Sequence, residues 1–240
     1  MGKMLEIEIL NGIGISDEIK RRASEIYIDA WKTKLVEEYK TTSDSEILEM
    51  AYHQLETRVR TYPKGQLFAL CDGKFIGSIN TLKVKPALEY LSRGWEIVTG
   101  DIRRVNGVLR YEYPHDHEGS YILCIAIQTD KSAGIRGAAR KILKRVAGLK
   151  SEWDKGIITY STLMGYDEWF EKYIAENPDS PHGTRDSIPN LKVYAQQHVV
   201  VSFHKHLGAK MGSILPKARG KDPVILMVYK HPHRVMVEDE

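Results

Sequence analysis

The chain is poor in the features that mark several protein classes. Only Cys71 and Cys124 among its 240 residues are cysteines. Both sit inside apolar runs, so a disulfide framework and a multi-cysteine metal site are excluded and two buried free thiols are expected. No run approaches the roughly eighteen apolar residues of a membrane-spanning helix. The first residues lack the basic-then-apolar order of a secretory leader, which points to a cytoplasmic protein. Neither sign of charge dominates: the formal net charge is +3, too small for a phosphate-neutralising nucleic-acid binder, and no Lys/Arg run is interleaved with stacking aromatics. Internal repeats and low-complexity tracts are absent. What remains is an ordinary globular composition in a chain long enough to bury a substantial core.

The most informative stretch runs from Thr129 to Leu149, T-D-K-S-A-G-I-R-G-A-A-R-K-I-L-K-R-V-A-G-L. It comes after an apolar strand-like run, Tyr121 to Ile127. Strand, small-residue loop and helix are the parts of an anion site, because the first amides of a helix and its dipole offer partial positive charge. Gly134, Gly137, Ala138 and Ala139 allow a ligand to approach those amides closely. From Ala138 onward the apolar positions keep helical spacing, with Arg140, Lys141, Lys144 and Arg145 on the other face. A nucleotide P-loop needs Gly-Lys-Ser/Thr, and a dinucleotide site needs three glycines with an acidic residue further on; neither pattern is present.

From the N-terminus, Leu5 to Ile9 alternates like a strand. Ser16 with Asp17 and Glu18 opens a helix to about Glu38, and Ser43 with Glu46 opens a second that ends before Pro63. Gln66 to Leu82 is a hairpin about Asp72-Gly73. Residues 85–120, with Tyr90, Trp95, Tyr111 and Tyr113, are longer than a hairpin connection requires and form an insert. Within it, His115-x-His117 with Asp116 and Glu118 is half of a metal site at most, so no metal is expected. Gly156 to Leu163 is a buried strand, and residues 164–190 are a second insert holding a short amphipathic helix. Pro223 to Tyr229 is a final strand, and the tail from His231 to Glu240 is polar. The whole is read as one domain, 1–240.

Gly137-Ala138-Ala139-Arg140-Lys141-Ile142-Leu143 resembles the start of the third helix of the GNAT superfamily of N-acyltransferases. There the motif Q/R-x-x-G-x-G/A comes after the fourth strand and its amides bind the pyrophosphate of acyl-coenzyme A. Gly137 and Ala139 match the G and G/A positions. Gly134 stands where Gln or Arg is usual, so that contact falls to Lys131 or Arg136, and a second register puts Lys131, Gly134 and Arg136 in the three slots. The hairpin F-A-L-C-D-G-K-F-I-G-S-I is similar to the family's second and third strands. Phe203, Lys205, Gly208 and Ala209 resemble its closing F-Y-x-K-x-G-F element, with His204 where the family commonly has a tyrosine.

The resemblance implies an α/β fold, a mixed and twisted sheet with helices on both faces and a splayed pair of parallel central strands. It implies acyl-coenzyme A, most simply acetyl-coenzyme A, as cosubstrate, and a small-molecule or peptide amine as acceptor. The cofactor side is expected at Ile125, Ala126 and Ile127 along the strand, at Gly134, Ile135, Arg136, Gly137, Ala138, Ala139 and Arg140 in the cradle, and at Gln197 and Phe203. His204 is the candidate acid for the leaving thiolate. Glu112 is the candidate base, with Asp116 and Glu118 as alternatives. A non-catalytic acyl-coenzyme A binding module is the competing reading, and a homodimer and a monomer both stay open.

Overall fold

The computed structural model describes residues 6–85, 98–149, 155–178, 184–219 and 222–229. Tyr90, Trp95 and the tail 231–240 lie outside them. β1 (Ile7–Asn11) leads into α1 (Asp17–Tyr39), which Ser16 caps by accepting from the Ile19 amide. α2 (Asp44–Thr61) is capped in the same way by Ser43 through the Glu46 amide. Each such cap satisfies an orphan helix donor and contributes about 1 kcal/mol. The reciprocal half of the expected capping box is missing, because the Glu46 carboxylate accepts from the Thr41 hydroxyl instead, at 2.5 Å.

β2 (Leu67–Cys71) and β3 (Lys74–Val84) are joined by Asp72-Gly73. Both turn residues are left-handed, φ +49° and +75°, as the primed turn that matches strand twist requires. The first insert contains a second hairpin, absent from the elements expected above. β4 (Asp101–Val105) and β5 (Val108–Glu112) form their own two-stranded sheet around Asn106-Gly107, again with both φ positive, +50° and +78°. β6 (Tyr121–Thr129), α3 (Ala138–Ala147) and β7 (Gly156–Thr162) come next. The second insert supplies α4 (Tyr166–Glu176), and then α5 (Ile188–Gln197), α6 (Val199–His206), β8 (Lys210–Arg219) and β9 (Asp222–Tyr229) complete the order.

The main sheet has seven strands in the order β1-β2-β3-β6-β7-β9-β8. Every neighbouring pair is antiparallel except β6 and β7. Parallel neighbours need a crossover, and α3 supplies it. Ile142 and Val146 of α3, both 0% exposed, pack on Ile122, Cys124, Ile157 and Met227 on one face of the sheet. Ala23, Ile26 and Leu55 of α1 and α2 pack on Phe68 and Leu70 on the other. No helix among the described residues is long and apolar enough to cross a membrane.

Two irregularities in β6 open the sheet at its centre. Its register with β3 slips between Asn80 and Thr81, so Asn80 faces Ala126 while Thr81 faces Cys124, and Ile125 is the extra residue of a β-bulge. Its parallel pairing with β7 covers only Tyr121–Cys124 against Gly156–Thr159. Beyond that point the two strands diverge, as the splayed architecture requires.

Candidate functional site

Where β6 and β7 part, a mostly apolar cavity of about 310 Å³ opens between them. That is the lower end of the range typical of small-ligand sites. Its walls come from Cys124–Ile127 of β6, Thr159–Thr162 of β7, Leu143 of α3, Trp31 of α1, Met164, and the α5–α6 junction with His198, Val199, Val200 and His204. Met164 is 48% and Val199 75% exposed, so part of the rim is apolar yet open to solvent. Ile125, Ala126 and Ile127 therefore lie where an extended ligand arm would run alongside β6, whose edge there lacks a β7 partner.

The cradle leads into α3. Asp130 closes the turn Lys131–Ala133 by accepting from the Ser132 amide at 2.9 Å, and its carboxylate also pairs with Arg22 at 2.9 Å. These hydrogen bonds and the guanidinium hold the Asp130 carboxyl below the usual carboxylate range. Gly134 (φ +63°) and Gly137 (φ +87°) take the left-handed conformations that a side chain resists. A Cβ built on either would meet no atom within 4 Å, so the turn is open. Gly137 caps α3 without a side-chain hydrogen bond, which leaves the first-turn amides to solvent or a ligand. Arg136 and Arg140 are exposed, Ile135 and Ala139 half-buried, and Ala138 buried against the core.

The other expected site residues divide. Phe203 is half-buried and packs on the α3-side core. Gln197 ends α5 exposed and is not among the residues that line the cavity. Glu112 sits on the β4–β5 hairpin, its side chain 73% exposed and paired with Arg103 at 2.8 Å. Asp116 and Glu118 both approach Lys85. None of these three carboxylates lines the cavity. His115 accepts from the Lys83 amide at 3.1 Å and stacks on Tyr62 with centroids 4.3 Å apart. Among the described residues, no group of three or more His, Cys, Asp or Glu is placed to hold a metal ion.

His204 does reach the cavity, but not as an imidazolium. It is 2% exposed, its Nδ1 is 2.6 Å from the Tyr229 hydroxyl, and burial pushes the ring down to about 4. At neutral pH it is uncharged, so any proton it gives comes from a neutral ring N–H. Burial also pushes the Cys124 thiol up to about 12 and raises the Tyr160 and Tyr229 phenols. The cavity is thus lined by groups that stay neutral.

Two cavity residues carry no signal in the sequence. Thr162 has a buried Oγ1, and His198 a buried Nδ1, without a hydrogen-bond partner among the described residues. Buried polar atoms are nearly always bonded, and an exception calls for a cause such as a ligand. His198 is extended (φ −73°, ψ 130°) and separates α5 from α6.

The sequence matches no protein-family model and no curated protein. The fold does match solved structures. The loading GNATL domain of CurA from Lyngbya majuscula superposes with a TM-score of 0.57 at 16% identity, over 95% of this chain and 100% of that one. A GphF GNAT-like decarboxylase in complex with isobutyryl-CoA gives 0.56 at 15%, over 94% and 99%. An aminoglycoside 6'-N-acetyltransferase complexed with coenzyme A gives 0.51 at 12%, over 93% and 97%. The chain has the GNAT fold.

Proposed function

We propose that the chain binds acyl-coenzyme A, with the diphosphate on the amides from Gly134 to Arg140 and the pantetheine arm along Ile125 to Ile127. The acyl group, most simply acetyl, is transferred to the amine of a small molecule or peptide in the cytoplasm. The observation that carries this reading is continuity: the uncapped start of α3 and the gap between β6 and β7 are served by one helix. Gly137 begins it and Leu143 borders the cavity, about 9 Å further along the axis at 1.5 Å per residue. In this mechanism the amine attacks the thioester carbonyl, the β6 amides at Ile125 or Ile127 hold the developing oxyanion, and the thiolate departs next to His204.

A thermal-shift panel tests the binding. A ligand at a hundred times its dissociation constant stabilises by about 2.7 kcal/mol. Acetyl-coenzyme A should raise the melting temperature, while ATP and NAD should not; the reverse result would overturn the proposal. Binding without transfer to any amine would leave a non-catalytic module.

A second reading, loss of carbon dioxide from a carboxylated acyl-coenzyme A, is favoured by one observation. Among the described residues no carboxylate lines the cavity to repel a carboxylated acyl group, and one neighbour in fold is named a decarboxylase. Release of carbon dioxide from malonyl-coenzyme A, measured beside amine transfer, separates the two.

A further inference from the structure

We infer that Arg22 of α1 fits the cradle for a diphosphate by holding and neutralising Asp130, an inference that rests on the coenzyme-binding reading above. Asp130 is the only acidic residue between Thr129 and Leu149, and its two carboxylate oxygens have different tasks. Oδ1 accepts from the Ser132 amide at 2.9 Å and from the Ser132 hydroxyl, which closes the turn that leads to Gly134. Oδ2 accepts from Nη2 of Arg22 at 2.9 Å, across 108 positions of sequence. Nη1 of the same guanidinium donates to Glu25 at 3.1 Å, one helical turn on, so the fork is held on both sides.

The ion pair crosses open space. A cavity of about 640 Å³ lies between α1, the β2–β3 turn and the cradle, and Arg22, Asp130, Ser132 and Ile135 are among its walls. The cradle turn therefore has little apolar support on this side. Its ties are polar: the Asp130 amide donates to the Ile76 carbonyl at 2.9 Å, and the carboxylate is held by Arg22. The Asp130 side chain is 9% exposed and that of Arg22 44%, so the acid is nearly out of water while its partner can be changed with little cost to the core. Among the described residues Arg22 is the cation paired with Asp130; Lys131 and Arg136 lie closer in sequence but form no ion pair with it.

Charge and geometry act together here. A bare carboxylate just before the start of α3 competes with an anionic ligand for the same positive field, and within about 10 Å at 0.1 M salt that repulsion is only partly screened. Arg22 cancels the charge and keeps Oδ1 on the Ser132 amide, so the amides that come after it stay open to the ligand. The cavity end is reached by the same helix: Trp31, which borders the gap between β6 and β7, is nine residues beyond Arg22, about 13.5 Å along the axis. α1 thus serves both ends of the proposed ligand from one face of the sheet, as α3 does from the other.

Calorimetric titration with coenzyme A and with acetyl-pantetheine, which lacks the phosphates, tests this. Arg22→Ala should weaken coenzyme A about 3- to 30-fold, the size of a charge effect at a helix start, and leave the affinity for acetyl-pantetheine where it was. Arg22→Lys keeps the charge and should recover part of the loss. Arg22→Ala with Asp130→Asn should bind coenzyme A more tightly than Arg22→Ala alone, because the Asn oxygen still accepts from Ser132 and the uncompensated charge is gone. Turnover of Arg22→Ala should show a raised KM for acetyl-coenzyme A without a lower kcat, and its melting temperature should barely move, since a half-exposed ion pair adds little to global stability. Wild-type affinity in Arg22→Ala would overturn the inference, as would an equal loss for acetyl-pantetheine. A double variant no better than the single one would overturn it too, because Arg22 would then grip the phosphates itself. Failure of the wild type to bind coenzyme A or acetyl-coenzyme A would sink the coenzyme reading instead, and amide hydrogen exchange then decides for Arg22 alone. Faster exchange at Ser132 in Arg22→Ala, confined to the cradle, supports the assignment; unchanged exchange there overturns it.

Discussion

The cradle and the cavity serve one proposed ligand through opposite physics. The cradle is exposed, glycine-bent and flanked by Lys131, Arg136 and Arg140; there the attraction is charge on backbone amides, within reach of solvent. The cavity is enclosed by Ile125, Leu143 and Tyr160, and its titratable groups are kept neutral by burial. The difference teaches that affinity and chemistry are separated along α3. On the proposed reading the diphosphate anchors at the cradle, and the reacting end enters a place lined by neutral groups.

The comparison can be broken first at the helix that joins the two ends. Ile142 is 0% exposed and wholly in the core, whereas Leu143, 1% exposed, borders the cavity. Ile142→Ala should cost about 2–5 kcal/mol in urea unfolding. Leu143→Ala should fall at the low end of that range, because its cavity side has fewer contacts to lose. Equal losses would mean that the cavity wall is not a separate environment.

Acid probes the cavity end alone. The folded value for His204, about 4, lies below its ordinary 6.5. The unfolded chain therefore binds more protons between these values, and stability is full above pH 6.5 and declines toward pH 4. The decline is about 3 kcal/mol at its limit, and His198 adds to it in the same direction. Chemical denaturation across that window should show this, and His204→Gln should remove most of it.

Gly137→Ala sharpens the comparison at the other end. The space around the site is open, so the cost is conformational strain of about 1–2 kcal/mol, read as a lower melting temperature with weaker coenzyme A binding. The smallest effect is that of salt. Raising ionic strength shortens the screening length from about 10 Å at 0.1 M to about 3 Å at 1 M. Calorimetry should show coenzyme A weakening several-fold, while acetyl-pantetheine, which lacks the phosphates, should barely respond.

Legibility in the sequence divides along the same line. Ser16, Ser43, Asp72-Gly73 and the glycines of the cradle act through local backbone rules, and each is legible from its neighbours alone. Asn106-Gly107 carries an equally strong hairpin signal, but the long insert around it hides the β4–β5 pair. His198 gives no signal, because histidine is not a favoured cap residue and its place in the cavity wall depends on β6 and β7, far from it in the chain. Glu112 looks plausible because it lies just before β6 in sequence, yet β5 aims its side chain into solvent.

The extra residue in β6 acts as a phase shifter. Cys124 packs on the α3 side, whereas Leu123 and Ile125 join a cluster with Leu82 and Tyr160, Ala126 packs with Tyr27 and Leu35 of α1, and Ile127 is back on the α3 side. Without the bulge, strict alternation would turn Ala126 toward α3 and Ile127 away from it. A strand of the same length paired without that bulge would send the glycine loop off from the wrong face of the sheet, and the proposed diphosphate anchor would point away from the gap.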